Sequence, residues 1–304
     1  MKIIDFMGQR KLAVLFSLTL ILVSIGSLAT RQLNWGLDFT GGTLVEVHYS
    51  ETADLKAIRN TLDTEGYSGA IVVSFGTDRD VMIRLPQGYS DKQGTQLLAS
   101  LQEAFAGSVD LRRIEFVGPQ VGDELREQGG LAMLLALGLV MLYIAFRFQL
   151  KFAVSAVVAL VHDVIITLGF FSITGMEFDL TVLAALLAVI GYSLNDTIVV
   201  SDRIRENFRK IRRADPVEVI NISLTETLGR TLVTSLTTLL VLAALALFGG
   251  EMIYGFAIAL IVGVVIGTYS SIYVAASMLL LMGVSKEDLM IPVKEGAEQE
   301  DLTP

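Results

Sequence analysis

The chain alternates between long apolar runs and shorter charged connections. A transmembrane helix needs about 20 consecutive, mostly apolar residues, and six runs reach or approach that length. They are Leu12–Thr30, Gly129–Phe146, Phe152–Ile173, Leu180–Val200, Thr231–Phe248 and Met252–Met282. The last run is too long to cross a bilayer upright, so we expect it to tilt, kink or project from the membrane.

The first run has a second interpretation. Basic residues precede it, and Ser27 and Ala29 resemble a signal-peptidase site. The apolar region of a signal peptide usually has about 7–15 residues, which is shorter than this run. Five more spans also follow, so we interpret the run as an uncleaved first span.

Residues 31–128, between the first two spans, have a different pattern, with more charge and no long apolar run. Alternation predicts strands at Thr43–Tyr49, Ala70–Phe75, Val81–Leu85 and Val109–Val117. Helical spacing of apolar residues predicts helices at Ala53–Glu65 and Asp91–Phe105. The order strand–helix–strand–strand–helix–strand is typical of a ferredoxin-like α+β domain.

Two glycine-containing segments flank this domain. Gly36–Thr43 could suggest phosphate binding, but no Lys follows and no helix is expected to open there. We interpret it as a tight connector. We interpret Val117–Gly122 as a turn that leads the chain back to the membrane.

The charged connections alternate in sign. Arg147 and Lys151 follow the second span, Glu177 and Asp179 follow the third, and Glu251 precedes the sixth. Since basic connections stay in the cytoplasm, both termini are predicted to be cytoplasmic and residues 31–128 to lie outside. The expected divisions are 1–30, 31–128, 129–202, 203–229, 230–283 and an acidic cytoplasmic tail at 284–304.

Segment 203–229 contains the densest basic cluster and two apolar stripes at helical spacing, separated by Pro216. The first stripe contains Ile204 and Phe208, and the second contains Ile220 and Leu224. The pattern predicts a helical hairpin lying on the inner face of the membrane. The alternative is a solvated, charged connector.

Composition excludes several classes of function. The chain is 53% hydrophobic with a net charge of −9, and it has no broad basic surface with interleaved aromatic residues, so nucleic-acid binding is not expected. It contains no cysteine, and we find no catalytic triad, metal cluster or nucleotide loop. We therefore expect neither an enzyme nor a bound cofactor.

Polar side chains inside the apolar runs are the candidate functional residues. An acid at the centre of a span costs roughly 2.5–3.5 kcal/mol on insertion scales, so Asp196 is a functional candidate by default. Ser193 and Tyr192 lie one turn before it, and the third span carries His162 and Asp163. Thr167 lies one turn after Asp163.

Arg230 opens the fifth span, with a stripe of hydroxyl residues after it: Thr231, Thr234, Ser235 and Thr238. Together with the two acids and His162, these groups suggest a proton relay with protons as the coupling ion. Arg230 and the stripe of Thr231, Thr234 and Thr238 are the expected partners of Asp196 when it is ionised. The alternative is a set of static buried contacts that fix helix register. His162 could simply hydrogen-bond a neighbouring span, and Arg230 could snorkel to the surface.

The sixth span carries a ladder of small residues at every fourth position: Gly255, Ala259, Gly263, Gly267, Ser271 and Ala275. Small residues at this spacing let another helix approach closely, so we interpret the ladder as a packing face.

Five segments together resemble the SecF family of bacterial protein export: Gly36–Thr43, Val117–Leu125, Val161–Thr167, Gly191–Asn207 and Gly229–Ser235. The resemblance implies six spans of the resistance–nodulation–division (RND) type and a ferredoxin-like periplasmic domain in the bacterial inner membrane. It also implies that the family's intramembrane Asp and Arg fall on Asp196 and Arg230, while a second acid lies in the SecD partner.

The implied function is to use the proton-motive force to help unfolded preproteins leave the SecYEG channel. The implied partners are SecD, SecYEG, YajC, the SecA pathway and the lipid bilayer. The alternative is an RND half-transporter that exports lipids or small molecules.

Overall fold

The computed structural model describes residues 3–75, 77–85, 91–105, 109–147, 149–211 and 214–285. Within these ranges, six helices are long and apolar enough to cross a membrane, as predicted. Arg212, Arg213 and nearly all of the predicted acidic tail lie outside the described residues.

The first span is α1 (Arg10–Thr30), which follows a 3₁₀ turn at Met7–Gln9. A two-residue strand, β1 (Asn34–Trp35), and a one-turn helix, α2 (Leu37–Thr40), come next. The expectation that no helix opens in the glycine connector is therefore wrong. Helix α2 ends at Gly41 with φ of 67°, and Gly42 follows at φ of 131°, two conformations that favour glycine.

A four-stranded antiparallel sheet with two helices follows. Its elements are β2 (Gly42–Tyr49), α3 (Leu55–Thr64), β3 (Ile71–Ser74), β4 (Asp80–Leu85), α4 (Asp91–Ala104) and β5 (Val109–Val117). The strands lie in the order β3-β4-β2-β5, and the elements occur in the order that the sequence predicts. Alternate residues of each strand face the helices, and Val45, Val47, Ile83, Leu97 and Leu101 form part of a closed core.

The second span differs from its predicted start. Helix α5 (Pro119–Arg147) begins ten residues before Gly129, so residues 119–128 extend the spanning helix and do not belong to the sheet domain. The turn expected at Val117–Gly122 is limited to Gly118, because Pro119 already occupies the first helical position, which suits its fixed φ.

The remaining spans follow in order. Helix α6 (Leu150–Thr174) leads to a two-residue strand, β6 (Glu177–Phe178), which pairs in parallel with β1. Helices α7 (Leu180–Lys210) and α8 (Pro216–Phe248) form the fourth and fifth spans. The sixth span consists of α9 (Glu251–Ser270), a π turn at Ser271–Ala275 and α10 (Ala276–Leu281), so the over-long run is interrupted by a helical irregularity.

The two amphipathic stripes of segment 203–229 face each other. Helix α7 runs unbroken to Lys210, and α8 starts directly after its capping residue Asp215. Ile204 and Phe208 pack with Ile220 and Leu224 in one buried cluster. Residues 203–210 and 216–229 of the segment therefore continue the fourth and fifth spans. The segment is neither a separate hairpin on the membrane face nor a solvated connector, because each stripe buries its apolar side chains against the other.

The predicted ladder of small residues on the sixth span is confirmed as a packing face, and its neighbour is α7. A Cβ atom added at Gly263 would lie 2.1 Å from Cγ2 of Val189, and one at Gly267 would lie 3.1 Å from Cβ of Ser193. Ala259 and Ala275 are buried along the same side of the helix. Only small residues allow α9 to approach α7 this closely.

We predict that Gly263→Leu destabilises the helix bundle by about 1–3 kcal/mol, because the new side chain would overlap Val189. The matched control is Gly138→Leu on α5, where an added Cβ meets no atom within 4 Å. Thermal unfolding in mild detergent should give a lower Tm for Gly263→Leu only. Equal Tm values for the two variants would contradict a packing role for the ladder.

Candidate functional site

Asp196 lies in the middle of the bundle and accepts two hydrogen bonds from neighbouring helices. Thr231 Oγ1 on α8 donates to Oδ1 at 2.6 Å, and Ser271 Oγ in the π turn donates to Oδ2 at 2.5 Å. Its residue surface is 8% exposed. An isolated carboxylate in an apolar span is costly, and hydroxyl donors reduce that cost.

Asp163 on α6 forms a second buried carboxylate site. Its Oδ2 atom accepts from Ser193 Oγ at 2.5 Å and from Ser270 Oγ at 2.7 Å. Its Oδ1 atom lies 2.8 Å from Nδ1 of His162. Asp163 is completely buried, so these side chains replace water as its hydrogen-bond partners.

Two short stretches of helix connect the carboxylate sites. Ser193 and Asp196 are three residues apart on α7, which places them on neighbouring positions of one helix face. Ser270 and Ser271 are adjacent, and consecutive helical residues point about 100° apart. Ser270 therefore donates to α6 while Ser271 donates to α7. The result is one polar network that involves α6, α7, α8 and the sixth span.

The predicted hydroxyl residues have different places in this network. Thr231 binds Asp196 directly, whereas Ser193 binds Asp163 and not the nearer Asp196 of its own helix. Tyr192 donates to Ser235 at 3.3 Å, and Ser235 in turn lies 2.7 Å from the hydroxyl of Thr268. The network thus extends along the contact between α7, α8 and α9.

Other predicted residues lie outside the two carboxylate shells. Thr234 is exposed and donates to backbone carbonyls of its own helix. Thr238 also donates to a carbonyl of its own helix, and Thr167 bonds the backbone oxygen of Asp163 rather than its carboxylate. Each of these hydroxyl groups donates its hydrogen bond to a backbone carbonyl of its own helix, as threonines commonly do inside helices.

Arg230 does not contact Asp196. Among the described residues it forms no ion pair or side-chain hydrogen bond, and it is exposed at the surface of α8. It lines a polar cavity of about 470 Å³ together with Asp202, Glu206 and Glu226. The structure therefore does not bring together the carboxylate of Asp196 and the guanidinium of Arg230.

His162 connects the Asp163 site to the first span. Its ring stacks on Tyr269 at a centroid distance of 6.2 Å, and Tyr269 donates its hydroxyl to the carbonyl of Ala13 on α1. The Nε2 atom of His162 is buried and has no hydrogen-bond partner within the described part of the chain. The ring is thus held by the hydrogen bond between its Nδ1 atom and Asp163 and by the stacking of one face on Tyr269.

Sequence reasoning missed Ser270, Thr268 and Tyr269, and treated Ser271 only as a small packing residue. The signal that could have found them is their chemistry. Hydroxyl groups in the centre of an apolar span need a partner, since burying one without a hydrogen bond costs free energy. Two adjacent serines in the sixth span therefore indicate acceptors on neighbouring helices.

The network suits a carboxylate that changes its protonation state. A hydroxyl group can donate to an ionised carboxylate and can also accept from a protonated one. Thr231 and Ser271 can therefore keep a hydrogen bond to Asp196 in both states. In an apolar surrounding, the loss or gain of one charge changes the stability of the local packing substantially.

Models of known protein families match two parts of this chain. A family model described as "Protein export membrane protein SecD/SecF, C-terminal" matches residues 96–285, which is more than half of the chain. A second model, the "SecD/SecF GG Motif", matches residues 26–53. The chain belongs to the SecD/SecF family. The resemblance noted from its sequence is confirmed.

Individual relatives give the branch of the family. The chain is 53% identical to the protein translocase subunit SecF of Vibrio alginolyticus, over 99% of this chain and 97% of that one. It is 54% identical to SecF of Pseudomonas aeruginosa over 95% of this chain and 94% of that one. The SecF subunit of Escherichia coli O157:H7 is 46% identical over 100% and 96% of the two chains.

Two solved structures share the fold. The crystal structure of SecDF from Thermus thermophilus, described as a translocon-associated membrane protein, has a TM-score of 0.84 and 38% identity. It covers 92% of this chain, and this chain spans only 39% of that longer one. A structure of SecDF in a super-membrane-facing form has a TM-score of 0.70 at the same identity and covers 93% of this chain.

The SecD/SecF glycine motif lies where the sheet domain joins the bundle. The N–H of Gly36 donates to the carbonyl of Phe178, and Asp38 Oδ2 accepts from the N–H of Leu180, the first residue of α7. Trp35, Phe39 and Phe178 pack as an aromatic cluster around this joint. The helix that carries Asp196 is therefore held at its start by the motif.

Two arginines of the sheet also reach the bundle. Arg84 on β4 forms an ion pair with Glu177 in β6, and Arg113 on β5 donates to the sulfur of Met252 at 2.9 Å. Glu46 lies on the same sheet face, where burial raises the pKa of its carboxyl and nearby Arg113 opposes that shift. The open face of the sheet is thus fastened to the starts of the fourth and sixth spans.

We predict that Ser271→Ala lowers bundle stability at neutral pH by about 1–3 kcal/mol, because Asp196 loses a buried donor. The control is Ser277→Ala on the same span, whose hydroxyl has no hydrogen-bond partner within the described residues. Thermal unfolding measures both effects. Adding Asp196→Asn should make the two changes non-additive. Strict additivity would show that the Ser271 bond has no energetic role.

Proposed function

We propose that this chain is the SecF-type subunit of a membrane complex that assists protein export, and that it works with a SecD-type partner. This chain matches relatives named as translocase subunits over nearly the full length of both sequences. That match supports the export role over the role of an RND half-transporter. The chain spans 39% of the solved SecDF chain, so most of that longer chain has no counterpart here and would come from the partner.

We also propose that the complex is driven by the proton-motive force and that Asp196 carries the proton. The observation that supports this most directly is the hydroxyl shell of Asp196, which suits both protonation states. No organic cofactor or metal is needed for this chemistry, because a carboxyl group can exchange a proton by itself.

Asp163 and His162 form the second part of the proposed relay. Proton movement between the two carboxylates would use Ser193 and Ser270, which both bind Asp163. Ser193 lies one turn before Asp196, and Ser270 is adjacent to Ser271, which binds Asp196. The Nε2 atom of His162, which has no hydrogen-bond partner among the described residues, is a further position in the proposed relay.

Arg230 and Thr234 have a different place in the proposal. Both lie on the exposed side of α8, where they are accessible to a partner chain. We assign Arg230 the role of a cation that tunes the relay once the SecD-type partner, with its own acid, covers this surface. The absence of an ion pair between Arg230 and Asp196 among the described residues of the single chain agrees with this assignment.

Movement would reach the sheet domain through α7. Protonation of Asp196 removes a buried charge and changes which packing of α7 against α8 and α9 is favoured. The start of α7 is bound to Asp38 of the glycine motif, and the sheet domain begins directly after this motif. A shift of α7 would therefore displace the sheet domain. We propose that this domain, which the structure ends at residue 118, before α5, is ferredoxin-like, lies in the periplasm, and acts on the emerging unfolded preprotein.

The proposed location is the bacterial inner membrane, with both termini in the cytoplasm. The support is the alternation of basic and acidic connections between spans. On this topology the end of α7 and the start of α8 face the cytoplasm, on the side of SecA. The sheet domain faces the exit of the SecYEG channel. YajC, the lipid bilayer and the preprotein complete the expected set of partners.

We predict that Asp196→Asn abolishes the part of export that depends on the proton gradient and leaves ATP-driven export intact. Asn keeps the shape and one hydrogen-bond acceptor but cannot take up a proton. The control is Glu218→Gln, which removes an exposed acid in the first turn of α8. The measurement is preprotein transport in inverted vesicles that contain the full complex, with and without a gradient.

The result that would overturn the relay is full gradient-dependent transport by the Asp196→Asn vesicles. If instead the vesicles with either variant lost ATP-driven export in addition to gradient-dependent export, the substitutions would have disturbed assembly of the complex. Co-purification of the SecD-type partner separates that case from a loss of coupling.

A further inference from the structure

A large apolar groove runs along the first span. It has a volume of about 1130 Å³ and is lined by α1, by α6, by α10 with the adjoining π turn, and by Pro216 and Val217 at the start of α8. Its walls include Val14, Leu18, Val158 and Leu281, which are exposed. The volume slightly exceeds the range of about 300–1,000 Å³ that small-molecule sites occupy.

The groove arises from the way α1 crosses α6. Near the outer end of the two helices, Gly169 allows Ser24 to approach so closely that an added Cβ would lie 2.2 Å from the serine Cβ. Ser27 and Ser172 are hydrogen-bonded there at 2.8 Å. Residues that line the groove lie only on the inner part of α1, from Arg10 to Ile21, where the helices diverge.

The groove ends at two cations. Arg10 and Lys11 line its rim at the start of α1, and neither forms an ion pair with any residue that the structure describes. Cations at a helix N-terminus oppose the helix dipole, and the first turn of α1 contains no acid to offset them. Lys151 adds a further positive charge, because its ammonium lies 2.9 Å from the carbonyl of Gly283 at the same rim.

We propose that this groove binds an anionic phospholipid. One acyl chain lies along the apolar walls between α1 and α6, and the phosphate lies against Arg10 and Lys11 at the membrane surface. The lining from Arg10 to Ile21 is about 16 Å long at 1.5 Å per residue, which suits a lipid chain extending inward from its headgroup. On the proposed topology, the lipid comes from the cytoplasmic leaflet.

The charge and the shape together favour this occupant. A free anion would use the two cations but leave the apolar walls unoccupied, and a zwitterionic lipid would gain less from two unpaired cations. Juxtamembrane basic residues attract anionic lipids for this reason. His162 is among the lining residues, so the bound chain would pack beside the residue that hydrogen-bonds Asp163.

The test uses the full complex with its SecD-type partner in nanodiscs of phosphatidylcholine. The probe is a phosphatidylglycerol that carries a photoactivatable diazirine in its acyl chain, and mass spectrometry maps the adducts. We expect adducts on the groove segments of α1, α6 and α10. Unlabelled phosphatidylglycerol should compete, and phosphatidylcholine should not.

Two pairs of variants identify the groove and its charges. Arg10→Gln with Lys11→Gln should weaken competition by phosphatidylglycerol about fivefold per charge and about 25-fold together. Lys210→Gln, a basic residue that does not line the groove, should leave it unchanged. Val14→Trp fills the groove and should suppress the adducts, whereas Val23→Trp, exposed on the same helix but outside the lining, should not.

Three outcomes would overturn the proposal. Equal labelling by a phosphatidylcholine probe would indicate ordinary boundary lipid. Adducts that persist in Val14→Trp would place the lipid elsewhere. A partner helix found by crosslinking a cysteine at Val158 would show that protein, and not lipid, covers the groove. Because Val14→Trp leaves both cations in place, its result does not depend on whether the charge variants alter insertion of the first span.

Discussion

The bundle depends on keeping two carboxylates solvated by protein inside an apolar structure. Asp163 and Asp196 lie on neighbouring helices, and each accepts hydrogen bonds from serine or threonine on two other helices. Each donor fixes the register of the helix that supplies it, because a rotation or slip would leave a buried carboxylate without its partner. One electrostatic requirement thus constrains α6, α7, α8 and the sixth span together.

The small-residue ladder is part of the same constraint. Short donors such as Ser270 and Ser271 reach a carboxylate on another helix only if the backbones lie close together. Gly263 and Gly267 allow that approach, since larger side chains there would meet Val189 and Ser193. The π turn that begins at Ser271 lies where the sixth span supplies its second donor. Single π turns inside α-helices are frequently found at functional sites.

The sequence predicted the parts of the molecule that depend on periodicity and burial cost. It indicated six spans, the element order of the sheet domain, the packing ladder, and Thr231 beside Asp196. Periodicity shows which side of a helix is polar but not which helix that side meets. Periodicity therefore could not establish whether Asp196 pairs with Arg230. In the structure the two residues are not paired, and Arg230 faces outward among Asp202, Glu206 and Glu226.

The sequence also misplaced several boundaries, for a physical reason. Residues 119–128 and segment 203–229 are polar enough to suggest that a span has ended. Residues 119–128, 203–210 and 216–229 nevertheless continue spanning helices. Helical hydrogen bonds do not stop at the membrane surface, and tertiary contacts such as Phe208 with Leu224 stabilise the extensions. The continuity of α7 matters for the proposed mechanism, because one rigid helix carries Asp196 and begins at the glycine motif.

We propose that Asp196 changes its protonation state within this network. The most direct measurement is pH-difference infrared spectroscopy of the membrane-embedded complex, which detects the C=O stretch of protonated carboxyl groups. We expect a titrating band that disappears in Asp196→Asn and shifts in frequency in Asp163→Asn, because the adjacent Ser270 and Ser271 of the sixth span donate to the two sites. A titrating band that is unchanged in Asp196→Asn would contradict this proposal.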